Sequence, residues 1–208
     1  MLADLVLPVE CGGCGAPGTR WCEACEHAIG ARADEPVLLT PRLDPGVPVF
    51  SLGRYAGERR QAIVALKERG RGDLVGPLGD ALRIGLTRLI TWAVVPTPLA
   101  VVPAPTRASS ARRRGGDPVA RMARSAAVPG TTVVPALRMR PFTRDSVGLS
   151  ADARQRNVTG RIRVRRRVEG DVIVVDDIVT TGATASESVR VLQTSGARVV
   201  AVLAIAHA

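Results

Sequence analysis

A chain of 208 residues has room for one α/β core with a small appended module, which excludes two full enzymes side by side. Hydrophobic residues make up 46% and aromatics 2%, so the core is built from Val, Leu, Ile and Ala, a composition suited to a sheet covered by helices. The net charge of +10 favours polyanionic partners, and no apolar stretch approaches the roughly 20 residues of a bilayer span, so membrane insertion is not expected.

The chain opens on MLADLVLPVE, acidic rather than basic and without a secretory n-region, and a cytoplasmic location is expected. All four cysteines follow in CGGCGAPGTRWCEAC, at Cys11, Cys14, Cys22 and Cys25. Two C-x2-C knuckles joined by a short connection place four thiolates where they can close a tetrahedron, the pattern of a structural zinc site (Zn2+) with no position left open for catalysis. Disulfides are the alternative, which a reducing cytosol disfavours. His27 reads as a surface residue beside that donor set, and Trp21 as a side chain packed over a knuckle. Residues 1–32 thus form a four-cysteine zinc-finger module.

Residues 33–48 carry Pro36, Pro41, Pro45 and Pro48 and read as a semi-rigid linker. Residues 49–208 read as the α/β domain. A strand is predicted over Val49–Tyr55, then a helix over Glu58–Arg69, with Ala62, Ile63 and Leu66 at helical spacing and Gly70 ending it. Lys67, the only lysine in the chain, lies in its last turn and reads either as a substrate contact or as a helix-end lysine suited to the dipole. A second helix covers Gly76–Thr91. Leu99–Val102 is a strand running into a turn at Ala104, Pro105, Thr106 and Arg107, and Asp117–Ala127 is a helix with Pro118 in its first turn.

Strands follow at Thr132–Leu137 and Ile162–Val168, separated by Arg138–Arg161, a long arginine-rich segment that reads as a lid. Basic residues cluster in Arg107–Arg124 and Arg138–Arg167; nucleic acid or the phosphates of a small substrate would each explain them. Met122 and Met139 read as core, and Trp92 joins Trp21 as an aromatic able to stack a base. The most informative stretch is DVIVVDDIVTTGATASES. Val172–Val175 is a strand buried on both faces, Asp176 and Asp177 end it, and a helix starts at Ala183. Between them Thr180, Thr181 and Thr184 offer hydroxyls, Gly182 allows close backbone approach, and the helix N-terminus favours an anion. Two carboxylates repel phosphate, so the pair suits ribose hydroxyls or a bridging metal while the loop takes a 5-phosphate. A strand at Ala197–Ile205 completes a parallel sheet with helices on both sides. No GK[ST] loop and no dinucleotide fingerprint is present, which argues against an ATP-driven motor and an NAD enzyme.

Val172 to Thr184 closely resembles the phosphoribosyl pyrophosphate (PRPP) motif of the type I phosphoribosyltransferases. Together with the cysteine module and the YAGERRQAIVALKERG, VVPAPTR, ARRRGGDPVARMA and RQRNVTGRI segments, nearly the whole chain resembles the ComF family, a zinc finger joined to a phosphoribosyltransferase-like domain. That resemblance implies that Asp176 and Asp177 hold the ribose of PRPP or a nucleotide. It assigns the 5-phosphate to Thr180, Thr181, Gly182, Ala183 and Thr184, and the pyrophosphate with its Mg2+ to Ala104, Pro105, Thr106 and Arg107. Lys67, Arg114 and Arg144 are further candidates for substrate contact. It also implies a link to DNA uptake and competence, with single-stranded DNA, a helicase-like ATPase and a DNA-processing protein as partners. The chain departs from the family pattern at Arg114-Gly115-Gly116-Asp117-Pro118, which lacks an aromatic and amides, and at Asp145–Leu149, which lacks a glutamine. Thr180 stands where purine-salvage relatives carry an acid, so that mechanism is disfavoured. A phosphoribosyltransferase with an undefined acceptor, a non-catalytic nucleic-acid-binding protein and a zinc-dependent adaptor remain the open readings.

Overall fold

The computed structural model describes residues 9–106, 116–140 and 160–208. A short helix α1 (Glu23–Ile29) closes the cysteine module, followed by strands β1 (Val37–Leu39) and β2 (Val49–Ser51). Helix α2 (Gly57–Glu68) leads through a 3-10 turn at Gly72–Leu74 into α3 (Val75–Thr91). Strand β3 (Leu99–Pro103) precedes α4 (Pro118–Ser125), and β4 (Thr131–Val133) follows it. Strands β5 (Leu137–Met139) and β6 (Ile162–Val164) form a separate antiparallel ribbon. The chain then forms β7 (Asp171–Val179), α5 (Ala183–Thr194) and β8 (Arg198–His207).

Six strands make one sheet in the order β1-β2-β8-β7-β3-β4, parallel throughout except for the antiparallel edge strand β1. Parallel pairs need crossover connections, and the helices that supply them cover both faces of the sheet. Alternation along β7 divides the core. Ile173 and Val175 join Leu203 and Ile205 of β8 under Ile63, Leu82, Leu86 and Met122 of α2, α3 and α4. Val172, Val174 and Val202 face Val189 and Leu192 of α5 together with Leu137 and Ile162 of the ribbon. Each such fully buried aliphatic side chain contributes about 1.5–3 kcal/mol, and no residue from Val172 to Val175 exposes any surface. Met139 packs against the second cluster from partial cover.

Five sequence readings change. The strand expected over 49–55 ends at Ser51. The proline-rich stretch contributes β1, whose Leu38 pairs with Phe50 of β2. The single strand expected over 132–137 divides: β4 ends at Val133, and Leu137 begins the ribbon. The strand expected over 162–168 stops at Val164, because the next backbone N–H groups, of Arg165 and Arg166, both donate to Ala136 O. β7 runs past Val175 to Val179, so the two aspartates lie inside the strand and not after it.

Candidate functional site

The site starts from a mismatch in strand length. β7 pairs with β3 as far as Pro103 opposite Val175, and Ala104 N–H donates to Val175 O, while β8 accompanies β7 to Val179. Beyond Val175 the β3 side of β7 is therefore uncovered. The Asp177 N–H on that side is taken up by the Asp176 carboxylate, at 2.8 Å from Oδ1. Asp177 itself continues the side of the strand that carries Val175 toward α2, where Lys67 Nζ lies 2.6 Å from its Oδ2. Only 6% of the Asp177 side chain is exposed against 29% of the lysine's, so the cation reaches solvent and the carboxylate barely does. Asp176 keeps partial solvent contact, yet its carboxyl is pushed well above the usual carboxylate range, first by burial and second by the Asp177 charge, with Lys67 opposing both. The pair thus combines an ion-paired acid with one that resists ionisation.

After β7 the chain turns through Thr180 and Thr181 to Gly182, which holds φ +84 and caps α5. A Cβ at Gly182 would lie 2.4 Å from Leu43 O and 2.9 Å from Pro41 Cβ, and Leu43 N–H donates to Thr181 O at 2.9 Å. The proline-rich stretch therefore packs directly on the threonine loop. Thr180 is exposed, whereas Thr181, Ala183 and Thr184 are half-buried. Ala183 N–H donates to Thr181 Oγ1 at 3.4 Å, the N-cap Gly182 has no side chain to cap with, and the first turn of α5 carries no acid, so no charge opposes its positive dipole end.

The turn after β3 is organised differently from a bare anion nest. Ala104 N–H serves Val175, Pro105 has no N–H, and Thr106 gives both its N–H (3.3 Å) and its hydroxyl (2.9 Å) to Asp117. Asp117 also accepts Val119 and Ala120 N–H, capping α4 with Pro118 at its start. Thr106 is thereby tied to α4, and a carboxylate stands beside the turn. Arg107, Arg114 and Arg144 lie outside the described residues. So does most of the expected lid, of which Arg138–Arg140 and Gly160–Arg161 are described as the ends of the ribbon strands.

The four-cysteine cluster lies apart from the acidic pair. The sulfurs of Cys11, Cys14, Cys22 and Cys25 all fall within 4.8 Å of one another, and none is in a disulfide. Cys22 Sγ lies 3.6 Å from both Cys11 and Cys14 sulfurs, close to the about 3.8 Å edge of a tetrahedron with 2.3 Å Zn–S bonds. Gly13 makes room for this: a Cβ there would lie 2.5 Å from Cys25 Sγ. Burial opposes ionisation of Cys11, but backbone N–H groups of Cys14, Gly13 and Cys22 pull its thiol down to about 6. Four sulfurs in this arrangement could hold one metal ion, and the donor set suits zinc. The module is held to the domain by Arg71, which chelates Asp73 and donates to Glu10 O at 2.9 Å and Arg20 O at 3.0 Å. Trp21 packs against the main core, and Trp92 is exposed at the end of α3.

Three contributors were not legible as such. Asp117 carries no signal beyond its position before a proline, and Pro41–Leu43 reads only as a connector. His207, at the carboxyl end of β8 opposite Val179, lies 3.1 Å from Ser51 Oγ through Nδ1, and burial followed by Arg54 and Arg59 lowers its pKa. Among the described residues no helix is long and apolar enough to cross a membrane. No known family profile and no curated protein sequence matches this chain.

Proposed function

We propose that this chain binds a ribose 5-phosphate ligand, PRPP or a nucleotide, at the carboxyl end of β7. The observation that carries the reading is the joint placement of Asp176, Asp177 and Lys67 at the mouth of a glycine-capped threonine loop that opens α5. In parallel α/β sheets ligands bind at the carboxyl ends of the strands. Ribose hydroxyls bond the Asp177 carboxylate and the Asp176 carboxyl, the 5-phosphate meets the Thr180–Thr184 loop and the helix end, and Lys67 lies ready to exchange part of its Asp177 contact for an anionic substrate oxygen.

With PRPP bound, the reaction proposed is phosphoribosyl transfer: a nucleophile on the acceptor forms a bond to the anomeric carbon as the bond to pyrophosphate breaks, and pyrophosphate leaves with the electron pair. Mg2+ carried by the pyrophosphate neutralises its charge. The chain's own contribution is to hold and orient the ribose and to surround the developing positive charge with carboxylate. Because the backbone donors near Thr106 are engaged, the pyrophosphate falls to cationic side chains, Lys67 and the arginines from Arg107 onward. The ComF-type link to competence and DNA uptake is proposed on the sequence resemblance alone.

Calorimetric titration with Mg-PRPP, ribose 5-phosphate and nucleoside monophosphates tests the binding half. The expected outcome is binding by the wild type and a loss in Asp176→Asn/Asp177→Asn of roughly 1.5–3 kcal/mol for each charged hydrogen bond removed. No binding by well-folded wild type, or equal affinity in the variant, overturns the reading and leaves the adaptor alternative ahead. Pyrophosphate release on adding an acceptor then separates an enzyme from a binding protein.

A further inference from the structure

From the arginine face of the β5–β6 ribbon we infer a second binding surface, one for the phosphate backbone of double-stranded nucleic acid. The inner side chains of the ribbon, Leu137, Met139, Ile162 and Val164, join the core under α5. The alternate described positions point the other way, and they are arginine: Arg138 stands directly opposite Arg163, and Arg140 N–H bonds Arg161 O two residue pairs further on, past Met139 and Ile162. Arg165 continues the row, and all five are exposed.

Like charges directly across a ribbon destabilise it. Here Arg138 faces Arg163 across the ribbon, and among the described residues no carboxylate pairs with Arg138, Arg161, Arg163 or Arg165. The nearest acid fixed to the ribbon, Glu187, is buried, accepts Gly160 N–H and pairs with Arg190 on α5. A polyanion laid on this face would relieve the repulsion.

The chemistry of the face selects among polyanions. Among the described residues it offers guanidinium groups and neither an aromatic ring nor an amide, so it lacks the aromatic platforms on which single-strand binders stack successive bases. Binding by charge alone follows phosphate density, and a duplex presents one charge per about 1.7 Å of axis, twice the density of one strand. A two-stranded ribbon is also a shape that the major groove admits. The inference is independent of the phosphoribosyl reading, since none of these residues belongs to the Asp176–Asp177 site.

Fluorescence anisotropy with the full zinc-loaded chain tests it, using a labelled 20-base-pair DNA duplex, a single strand of the same length and, as competitor, vesicles rich in phosphatidylserine. The duplex is expected to bind more tightly than the single strand, without sequence preference. Arg138→Gln/Arg163→Gln should flatten the slope of log affinity against log salt by about two, whereas Arg83→Gln, on α3, leaves it unchanged. Melting provides a second readout: the double variant, relieved of a repulsive rung, should melt no lower than wild type, so lost binding is not lost folding. Equal or tighter binding of the single strand, an unchanged salt slope in the double variant, or a vesicle affinity that matches the duplex and falls with the same variant would each overturn the assignment.

Discussion

Asp176 and Asp177 are adjacent in sequence and opposite in electrostatic fate. Asp177 has a cation 2.6 Å away, so Asp177→Asn removes that charged contact and should destabilise the domain by roughly 1–3 kcal/mol. Asp176 has its carboxyl held above the ordinary value, which means that the folded protein disfavours its ionised form. Stability from this group is fully present below the ordinary aspartate pKa of 3.8 and is lost as pH rises from there toward the raised folded value. Asp176→Asn is neutral at every pH and keeps an oxygen for the Asp177 N–H. It should therefore melt higher than wild type near pH 7, and the advantage should vanish below the ordinary aspartate pKa of 3.8. Melting curves of the two single variants across pH, moving in opposite directions at neutrality, check both expectations. At Gly182 a methyl group meets Leu43 O and a left-handed backbone at once, so Gly182→Ala should lose about 1–3 kcal/mol of stability.

At the scale of elements, the readable parts were those with a strong period or a strong local motif. Helices α2 and α3 followed from apolar spacing, and β7 from an uninterrupted aliphatic run. The cysteine cluster followed from two chelating spacings that few other structures require. What failed was pairing. A single strand was read through Ala136 because its residues are β-formers, but Val134 N–H pairs with Val101 O while Ala136 O already serves the ribbon, and one sequence cannot show which partner ends a strand. Likewise the length of β7 depends on β8 lying beside it, a contact between residues far apart in the chain. The threonine loop was legible from hydroxyls and glycine; its cover by Pro41–Leu43 was not, because proline spacing marks stiffness and not destination. The docking of the cysteine module rests on the Arg71 guanidinium, which takes two carbonyls from the module. Arg71→Ala should weaken that attachment by roughly 1.5–3 kcal/mol, seen as faster proteolysis between residues 26 and 36, while metal analysis still finds one zinc. Cys14→Ser should abolish the zinc; a Cys14→Ser protein with full zinc would remove the metal assignment.

Across the whole molecule, chemistry is distributed on three surfaces around one sheet: an acidic pair with a threonine loop at the carboxyl end of β7, an arginine ribbon beside α5, and a sulfur cluster against the turn after α2. The chain ties them with the proline-rich stretch, which leaves the cysteine module, lines the threonine loop and enters the sheet at its edge. The order of the sheet carries one more consequence. β8, which follows both in sequence, lies between β2 and β7, so the β1–β2 pair and the β7–β3–β4 set cannot join into one sheet until residues 198–207 exist. On the ribosome the β1–β2 pair therefore stays separate from β7, β3 and β4, although α3 can already meet α4, and β8 then seals the sheet. During synthesis the cysteine module can gather a metal early, whereas the Asp177–Lys67 contact, which joins α2 to β7, waits until residue 177 has emerged. Nascent chains arrested with residue 190 outside the tunnel should be cut by protease between those two parts of the sheet, and chains arrested with residue 207 outside should resist.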